Sequence, residues 1–364
     1  MTAWQPEFGV YIHVPFCSRR CDYCAFATWD DKASIIDEYM DALALEIRRA
    51  VDSGLRNAVS VFVGGGTPSL VPAEALARAV SLVPIVDGAE ITVECNPDNV
   101  TDSLLRTYRD AGVNRISLGV QSMVPHVLAS LGREHNPDNV TNAVETIRAV
   151  GIPTFNLDLI YGAHGESIAD WEETVHAALA LDPPHVSAYA LTVEAGTPLS
   201  GDRARHPDDD DQADKYPIVD AILESGGRAN YEISNWARPG HESRHNGLYW
   251  AQSDYRGFGC AAHSHAAGRR WWNVRTPERY VELVRHDDST EAAFEQLTAE
   301  QVAAERVQLA IRRREGVARG DISSAKQEEI DVFVNEGLLV VESDRVMLTQ
   351  RGRLLANAIT IRLT

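Results

Sequence analysis

Long apolar runs, cysteines and basic side chains are all scarce in this sequence. No run of about 18 apolar residues is present, and the chain does not open with a basic and then apolar leader. We therefore expect a cytoplasmic protein with no membrane span. Lysine and arginine total 34 against 53 aspartates and glutamates, and the resulting net charge of −19 argues against nucleic acid as a partner.

The five cysteines are odd in number and unevenly spaced, which argues against a disulfide framework. In a reducing compartment, clustered cysteines more often bind a metal or take part in redox chemistry. Cys17, Cys21 and Cys24 fall within eight positions, directly after an apolar run. Cys95 and Cys260 stand alone and are expected to be small, buried apolar residues. Metal chemistry is therefore expected at the first three cysteines.

Short runs rich in β-branched residues alternate with helical patterns over the first two hundred residues. The predicted strands are 8–16, 58–65, 89–95, 113–120, 153–162 and 184–193. The predicted helices between them are 35–51, 72–83, 101–112, 139–151 and 167–181. This alternation indicates right-handed βα units on a parallel sheet. Six units are fewer than the eight that close a barrel, so we expect an α/β fold built on a partial (β/α)6 barrel.

The pattern changes beyond residue 200, and three regions are expected. Residues 1–200 form the partial barrel, 201–290 a connecting region, and 291–364 a C-terminal helical domain. The last part reads as a helix, two short strands around Ser343 and Asp344, and another helix, which is typical of a small winged-helix-like α+β appendage. The acidic run 206–217 is expected to start a solvated helix, where carboxylates suit the helix dipole.

Glycines and polar residues follow the predicted strands at the ends where a barrel carries its function. The cysteines come after the first strand and the run 64–68, Gly-Gly-Gly-Thr-Pro, after the second. Glu94 closes the third strand, Gln121 follows the fourth, and Asp158 lies late in the fifth. Because the carboxyl ends of parallel strands share one rim, these residues are expected to form one site.

Three clustered thiols can hold either of two kinds of centre. A structural zinc needs a fourth ligand, usually from a second Cys or His pair at regular spacing, and this sequence has no such pair. His13 is too close along the preceding strand to serve. A cubane iron–sulfur cluster with one iron left open needs only three thiolates, and an open coordination position is the mark of a reactive site. The residues alone favour the cluster and leave zinc as the alternative.

The spacing Cys17-x3-Cys21-x2-Cys24, with Tyr23 before the last cysteine, resembles the signature of the radical S-adenosylmethionine (SAM) superfamily. The resemblance implies a [4Fe–4S] cluster whose fourth iron is chelated by the amino and carboxylate groups of SAM. Gly64 and the residues after it resemble the family's glycine motif, in which backbone amides approach the methionyl end of SAM. The SAM-binding residues implied in this way are Tyr11, Tyr23, Gly65, Gly66, Thr67, Glu94, Gln121, Arg133, Asp158 and Ala190.

Motifs along most of the chain resemble the anaerobic coproporphyrinogen III oxidase-like branch of that superfamily. They are YIHVPFC, FVGGGTPSLV, ECNPDNV, RISLGVQS, LGREH, NLDLIYG and YEISNWARPGHESRHNGLYW. The branch holds an oxygen-independent decarboxylase of porphyrin biosynthesis and a HemW-type haem chaperone. The chaperone is favoured by Phe26, where the decarboxylase has a further cysteine, and by a first strand that begins by Phe8, without the decarboxylase's long N-terminal arm.

The third feature that favours the chaperone is a match to the motif H-N-x-x-Y-W, associated with haem binding. The matching residues are His245, Asn246, Tyr249 and Trp250. A neutral imidazole is a normal axial ligand of haem iron, and aromatic rings suit a porphyrin face. On the residues alone, a hydrogen-bonded His-Asn turn ahead of an aromatic core strand is the favoured explanation, and it is the family resemblance that implies haem binding instead. The axial ligand stays open, because His241, His263 and His265 lie nearby.

One local departure from the family lies in GFGCAAHS, residues 257–264, where a glycine-rich turn is usual. Ala261 cannot take a positive φ as easily as glycine, so the backbone is expected to differ there. Cys260 is also weighed as a thiolate ligand to haem.

The sequence therefore predicts a haem chaperone that binds haem, a [4Fe–4S] cluster and SAM and transfers haem to an acceptor protein. No catalytic residue is assigned, and whether SAM is cleaved is left open. The first alternative is oxygen-independent coproporphyrinogen III decarboxylation, and the second is a zinc-stabilised binding protein without SAM chemistry. A homodimer and a peripheral membrane contact are both compatible with the sequence.

Overall fold

The computed structural model describes residues 7–364, so residues 1–6 of the predicted barrel region lie outside the described part of the chain. The strands are β1 Phe8–Val14, β2 Ala58–Gly65, β3 Ile85–Cys95, β4 Arg115–Gln121, β5 Thr154–Tyr161, β6 His185–Ala190, β7 Ala229–Glu232, β8 Asn235–Ala237, β9 Asp254–Phe258, β10 His263–Ala266, β11 Arg269–Asn273, β12 Glu291–Gln296, β13 Val317–Ala318, β14 Leu339–Glu342 and β15 Arg345–Leu348.

The α-helices lie between these strands along the chain and after the last of them. They are α1 Ile36–Asp52, α2 Ala73–Ser81, α3 Asp102–Asp110, α4 Pro125–Ser130, α5 Pro137–Val150, α6 Ile168–Ala180, α7 Pro198–Gly201, α8 Asp209–Ser225, α9 Arg244–Trp250, α10 Pro277–Arg285, α11 Ala299–Ala310, α12 Gln327–Asn335, α13 Gln350–Leu354 and α14 Ala356–Leu363. None of the helices within the described residues is long and apolar enough to cross a bilayer.

Strands β1 to β6 lie side by side and parallel in sequence order, which confirms the six predicted βα units. The full order is β12-β11-β10-β9-β1-β2-β3-β4-β5-β6-β8-β7, a linear arrangement, so the barrel stays open. Sequence analysis missed the extension on the β1 side. Strand β9 pairs parallel with β1, and β10, β11 and β12 continue the sheet antiparallel.

Alternation along each barrel strand separates the core from the site. On β1, Val10, Ile12 and Val14 are fully buried and belong to the same hydrophobic cluster as Tyr39 and Leu43 of α1. The residues between them face the inside of the open barrel, because successive side chains of a strand point to opposite faces. The outer face therefore builds the core, and the inner face and the strand ends are left for polar residues.

The C-terminal residues have a hydrophobic cluster of their own, which runs from Val307 to Leu363. Strands β14 and β15 form the predicted hairpin around Ser343 and Asp344, both with positive φ, as a tight hairpin turn requires. The acidic run starts α8 as expected, with Asp208 capping its first amides. The large core cluster contains residues on both sides of residue 200 and reaches Val284. The proposed division into three regions stays a prediction.

Candidate functional site

The cysteine loop hangs from the end of β1 and is closed by backbone bonds to Trp29. The Cys17 amide donates to Trp29 O at 3.0 Å, and the Trp29 amide donates to Pro15 O at 2.8 Å. Within the loop, the Cys24 amide donates to Cys21 O at 3.2 Å. These bonds hold both ends of the segment together, so all three thiols are displayed on one short loop at the barrel rim.

Polar donors from two other segments, one after β2 and one after α4, reach the sulfurs of this loop. The Thr67 hydroxyl donates to Cys17 Sγ at 3.8 Å, and Arg133 Nη1 donates to Cys21 Sγ at 3.6 Å. All three thiols are half-buried. Burial raises the pKa of Cys17 to about 11 and also raises the pKa of Cys24. Both are therefore neutral thiols at pH 7 unless a metal takes the place of the proton.

The donor set of this loop fits an iron–sulfur cluster. Among residues 7–364, no three side chains of His, Cys, Asp or Glu are arranged to hold a single metal ion. A cubane differs in this respect, because each thiolate binds its own iron and the sulfurs do not meet at one point. Hydrogen bonds from Thr67 and Arg133 to the sulfurs would further stabilise a negatively charged cluster.

The glycine segment after β2 packs too closely against its neighbours for any side chain. A Cβ on Gly65 would lie 2.5 Å from the His13 ring, and one on Gly66 would lie 2.5 Å from Phe16 O. Gly65 also has a φ of +116°, in the region that favours glycine. Steric fit within the protein thus accounts for these glycines.

The amides of the glycine segment are already occupied, which corrects one expectation. The Gly65 amide donates to Glu94 Oε2 at 3.1 Å, and the Gly66 amide donates to Val14 O at 2.8 Å. The Thr67 amide likewise donates to a carbonyl, Phe16 O, at 2.7 Å. The idea that these amides are free to approach SAM is therefore wrong for this conformation. The segment shapes the rim through its close packing instead.

Two carboxyl groups, Glu94 of β3 and Asp158 of β5, lie on the two sides of β4 near the rim. The pKa of Glu94 is raised to about 8, chiefly by burial and then by the charge of Asp158. The hydrogen bond from the Gly65 amide opposes this rise. Burial also raises the pKa of Asp158, which accepts hydrogen bonds from Ser117 Oγ and Asn156 Nδ2, both at 2.8 Å. Such carboxyls suit a ligand that brings hydroxyl or cationic groups to them.

Strand β4 contributes the next part of the rim through an unusual backbone. Gln121 has a φ of +66°, rare for a residue with a side chain, and its amide approaches Gly119. Arg133 Nη2 donates to Gly119 O at 3.0 Å, which aims the other guanidinium nitrogen at Cys21. The structure thus brings Gln121 and Arg133 together beside the cysteine loop.

The remaining predicted SAM residues occupy separate parts of the rim. Tyr23 is half-buried against an apolar cluster that includes Leu131, Ile160 and Leu199. Ala190 ends β6, where it pairs with Tyr161 of β5. Burial raises the pKa of the Tyr23 hydroxyl, which also lies within hydrogen-bonding reach of Cys21. Their roles toward SAM stay predictions that rest on position.

His13 is a site residue that sequence reasoning set aside. It accepts or donates at both nitrogens, with Tyr11 Oη at 3.0 Å from Nδ1 and Ala27 O at 2.9 Å from Nε2. Burial lowers the pKa of His13 to about 4, so the ring is neutral and donates from Nε2 to Ala27 O. His13 thereby ties β1 to the cysteine loop and packs against Gly65. His13 alternates with the buried residues of β1, so its side chain points into the barrel. That alternation was the signal that could have identified it.

The H-N-x-x-Y-W motif forms helix α9, which corrects the expectation of a turn before an aromatic strand. His245 is only 1% exposed. Its Nδ1 lies 2.8 Å from Ser60 Oγ and its Nε2 lies 2.9 Å from Tyr249 Oη. Burial lowers the pKa of His245 to about 3. The imidazole is neutral, and neither nitrogen is free for an axial bond in this conformation.

Helix α9 lies inside the barrel at the end opposite to the cysteine loop. The amides of Arg244 and His245 donate to Glu90, which comes early in β3, whereas Glu94 near its end faces the rim. The His245 ring stacks on Phe62, with centroids 5.2 Å apart, and Phe62 stacks in turn on Tyr11. Helix α9, residues Arg244–Trp250, therefore fills the barrel below the rim residues, and we call it the plug.

The other two residues of the motif are half-buried, and their roles toward haem stay predictions. Asn246 is held through its amide, which donates to the helix cap Ser243. Trp250 lies beside Glu232, whose pKa burial raises to about 8. Glu232 Oε2 has no hydrogen-bond partner within the described residues.

Three neighbouring histidines were left open as axial ligands, and the structure separates them. His241 Nδ1 lies 2.8 Å from Thr154 Oγ1, and His265 Nδ1 lies 3.0 Å from Ser253 O. His263 is exposed and stacks on Trp272. His263 is thus the one of the three with no hydrogen bond in the described chain.

Cys260 is ruled out as a haem ligand in this conformation. It is fully buried in the large core, and burial raises its pKa to about 12. Cys95 is buried in the same core, so the expectation of two small apolar cysteines is confirmed. Ala261 takes a φ of +56° and keeps the backbone that glycine would favour, although a local difference was expected there.

Comparison with known proteins agrees with this geometry. Residues 11–178 match the family model of the radical SAM superfamily. Relatives named heme chaperone HemW span nearly the whole chain. The protein of Mycobacterium tuberculosis H37Rv is 42% identical over 97% of this chain and 93% of its own length. Those of Bacillus subtilis 168 and Escherichia coli K12 are 32% and 33% identical, over 96% and 97% of this chain and 97% of their own lengths.

A solved structure shows the same fold at lower sequence identity. It is the coproporphyrinogen III oxidase HemN of Escherichia coli, described as a radical SAM enzyme, with a TM-score of 0.85 and 22% identity over 99% of this chain and 90% of that one. Radical SAM proteins use a [4Fe–4S] cluster with SAM, and the cysteine loop provides the thiols for such a cluster. The chain belongs to the HemW family of the radical SAM superfamily.

Proposed function

We propose that this protein is a haem chaperone that binds haem and passes it to an acceptor protein. The observation that carries the proposal is the likeness, over 97% of the chain and at 42% identity, to a protein named as a haem chaperone. The cysteine loop and its sulfur donors support the cofactor part of the proposal. The H-N-x-x-Y-W motif carried by helix α9 supports the haem part.

Cys17, Cys21 and Cys24 would each hold one iron of the cluster, leaving the fourth iron open to SAM. Together the bound cluster and SAM supply one-electron chemistry at the rim. The chain's own contribution is electrostatic and positional. Thr67 and Arg133 place hydrogen-bond donors on two of the sulfurs.

The SAM-binding surface in this proposal runs across the carboxyl ends of the barrel strands. Glu94 and Asp158 offer carboxyl groups to the hydroxyls or cationic groups of SAM, and Gln121 and Arg133 offer N–H donors. Tyr11, Tyr23 and Ala190 lie around these groups, and Gly65, Gly66 and Thr67 keep the rim open beside the cysteine loop. Three contacts support this placement. Glu94 accepts a hydrogen bond from the Gly65 amide, and Arg133 donates to Cys21 Sγ. The Gln121 side chain lies beside Gly119, whose carbonyl also accepts from Arg133.

Decarboxylation of coproporphyrinogen III is the competing function. The likeness to HemN is strong in fold, but at 22% identity it shows the fold alone. The residue two positions after Cys24 is Phe26, whose surface is 63% exposed. A phenyl ring can neither ligate iron nor exchange redox equivalents, so the cysteine expected of the decarboxylase has no substitute here.

The test uses the full-length protein, reconstituted with iron and sulfide without oxygen. Iron and inorganic sulfide are measured first, since zinc without sulfide would contradict the cluster. Haem is then titrated with a Soret readout, and the loaded protein is mixed with an apo-haem protein to follow transfer. Saturable binding and transfer are expected. Absence of either contradicts the chaperone.

Matched variants separate the parts of the proposal. Cys21→Ala should abolish the cluster, whereas Cys95→Ala, in the buried core, should leave iron and sulfide content unchanged. Supplying coproporphyrinogen III, SAM and a reductant tests the competing enzyme. Vinyl product from the wild-type protein would replace the chaperone proposal with the decarboxylase.

A further inference from the structure

The extension of the sheet beyond β1 carries an aromatic surface on the barrel side. Tyr255 of β9 pairs with Gly9 of β1, two residues before the inward-facing Tyr11, so Tyr255 shares the inner face. His265 of β10 pairs with Tyr255, and the two rings are 6.2 Å apart. His263, two residues before His265, therefore lies on the inner face too.

Helix α9 supports this surface from below. The Tyr249 ring meets the Tyr255 ring edge to face, with centroids 4.8 Å apart, and the His245 ring meets the Tyr249 ring at 4.9 Å. The ring of Tyr249 thus lies between His245 and Tyr255, the residue of β9 on the aromatic surface. The contacts give His245 a supporting position and leave the exposed part to other residues.

His263 has the geometry of an available ligand. It is exposed, it pairs with Trp272 across β10 and β11, and its ring stacks on the indole with centroids 5.5 Å apart and an interplanar angle of 25°. No hydrogen bond or ion pair of its ring is found within residues 7–364. An exposed imidazole held by stacking, with both nitrogens free, can bind a metal without breaking any bond inside the protein.

His263 also lies at the cysteine end of the barrel. Strand β9 runs parallel to β1, so its carboxyl end, from which the chain turns into β10, lies beside the end of β1 that carries the cysteine loop. The pKa of His13, which burial lowers, is lowered further by the charge of His263. His13 in turn bonds Ala27 of the loop, next to the exposed Phe26.

A free cation completes the surface. Arg275 is exposed, comes two residues after the end of β11, and makes no ion pair or hydrogen bond with any described residue. Trp272 of β11 pairs with His263, so this end of β11 lies at the same rim as His263. Arg275 follows that end of the strand and therefore lies near the same rim. An iron ligand, an aromatic ring and a cation are three features that recognise the iron, the porphyrin and the carboxylates of haem.

We propose that His263 is the axial ligand of the haem iron, with Trp272 against the porphyrin and Arg275 facing the propionates. This inference rests on the proposed chaperone function. An axial imidazole stands upright on the porphyrin plane, and Trp272 lies nearly parallel to the imidazole, so the indole edge meets the same porphyrin face. Haem then sits next to the cysteine loop, and His245 acts as a support beneath it.

The test compares haem binding by wild-type protein, His263→Ala, and the matched control His176→Ala, an exposed histidine on α6. Affinity is measured from the Soret band, and the ligand from the electron paramagnetic resonance spectrum of ferric haem. His263→Ala should weaken binding about tenfold or more and lose the imidazole signature. His176→Ala should match wild type.

Imidazole rescue separates ligation from folding. In His263→Gly, added imidazole should restore the wild-type spectrum, and circular dichroism should show an unchanged fold because the side chain is exposed. Unchanged affinity and spectrum in His263→Ala would overturn the inference while leaving the chaperone proposal intact. Loss of binding in a folded His263→Gly protein without rescue would overturn it as well. Absence of saturable haem binding by wild-type protein would instead contradict the proposed function itself.

Discussion

Removing the Arg133 guanidinium should make the proposed cluster harder to reduce. Arg133 Nη1 lies 3.6 Å from Cys21 Sγ, and Nη2 is held 3.0 Å from Gly119 O. A positive charge and a donor at a ligating sulfur stabilise the reduced cluster, which carries the extra negative charge. Arg133→Met should therefore lower the reduction potential.

The size of the shift follows from the hydrogen bond that is lost. A hydrogen bond to a charged group contributes about 1.5–3 kcal/mol, and only part of this differs between the oxidised and reduced cluster. If that part is about 1.4 kcal/mol, the one-electron potential falls by about 60 mV. Arg133→Lys keeps the charge but cannot reach both acceptors with one planar group, so an intermediate shift is expected.

The measurement is a redox titration of reconstituted protein, followed by electron paramagnetic resonance. Arg19→Met is the matched control, since Arg19 lies on the cysteine loop itself but its side chain is 55% exposed and pairs with Glu134 in solvent. Solvent screening should keep the change in the cluster's reduction potential caused by Arg19→Met below about 20 mV. An unchanged potential in Arg133→Met, with full iron and sulfide content, would refute the reasoning.

Three further results are expected. Gly65→Ala should abolish SAM binding measured by calorimetry, because its Cβ would strike His13, whereas Gly54→Ala, also at positive φ but with open space around it, should lose only about 1 kcal/mol of stability. Glu232→Gln should flatten the pH dependence of urea unfolding, since a carboxyl whose folded pKa is raised to about 8 contributes stability below pH 4.5 that is lost as pH rises to 8, by about 5 kcal/mol; parallel curves for the two proteins would contradict this. Cys260→Ala should leave haem spectra unchanged, and a moved Soret band would restore Cys260 as a ligand.

Local patterns were sufficient for the barrel strands and the cysteine loop. The six parallel strands repeat a short apolar run followed by an amphipathic helix, and such runs can be recognised without knowledge of their neighbours. The spacing of Cys17, Cys21 and Cys24 is likewise contained in eight residues. The position of Glu94 and Asp158 near strand ends was enough to predict that they lie close together, because parallel strands end at one rim.

The extension of the sheet beyond β1 and the plug formed by α9 could not be predicted from local sequence patterns. Strand β9 joins β1 across more than two hundred residues, and no local pattern specifies that pairing. The same applies to His245, since its burial depends on Ser60 of β2 and on a helix that enters the barrel from the far end. A motif that resembles a haem-binding motif therefore lies inside the barrel in this structure.

The chain's own residues were enough to predict which chemistry the cysteine loop can hold, because ligand type and spacing are properties of a short segment. Which histidine is free to bind a metal was decided by the tertiary structure. His13 and His245 have hydrogen-bond partners at both ring nitrogens, among them Ala27 of the cysteine loop for His13 and Ser60 of β2 for His245. The ring of His263 has none in the described chain. Availability of a side chain depends on what folds against it, and those contacts form between segments far apart in sequence.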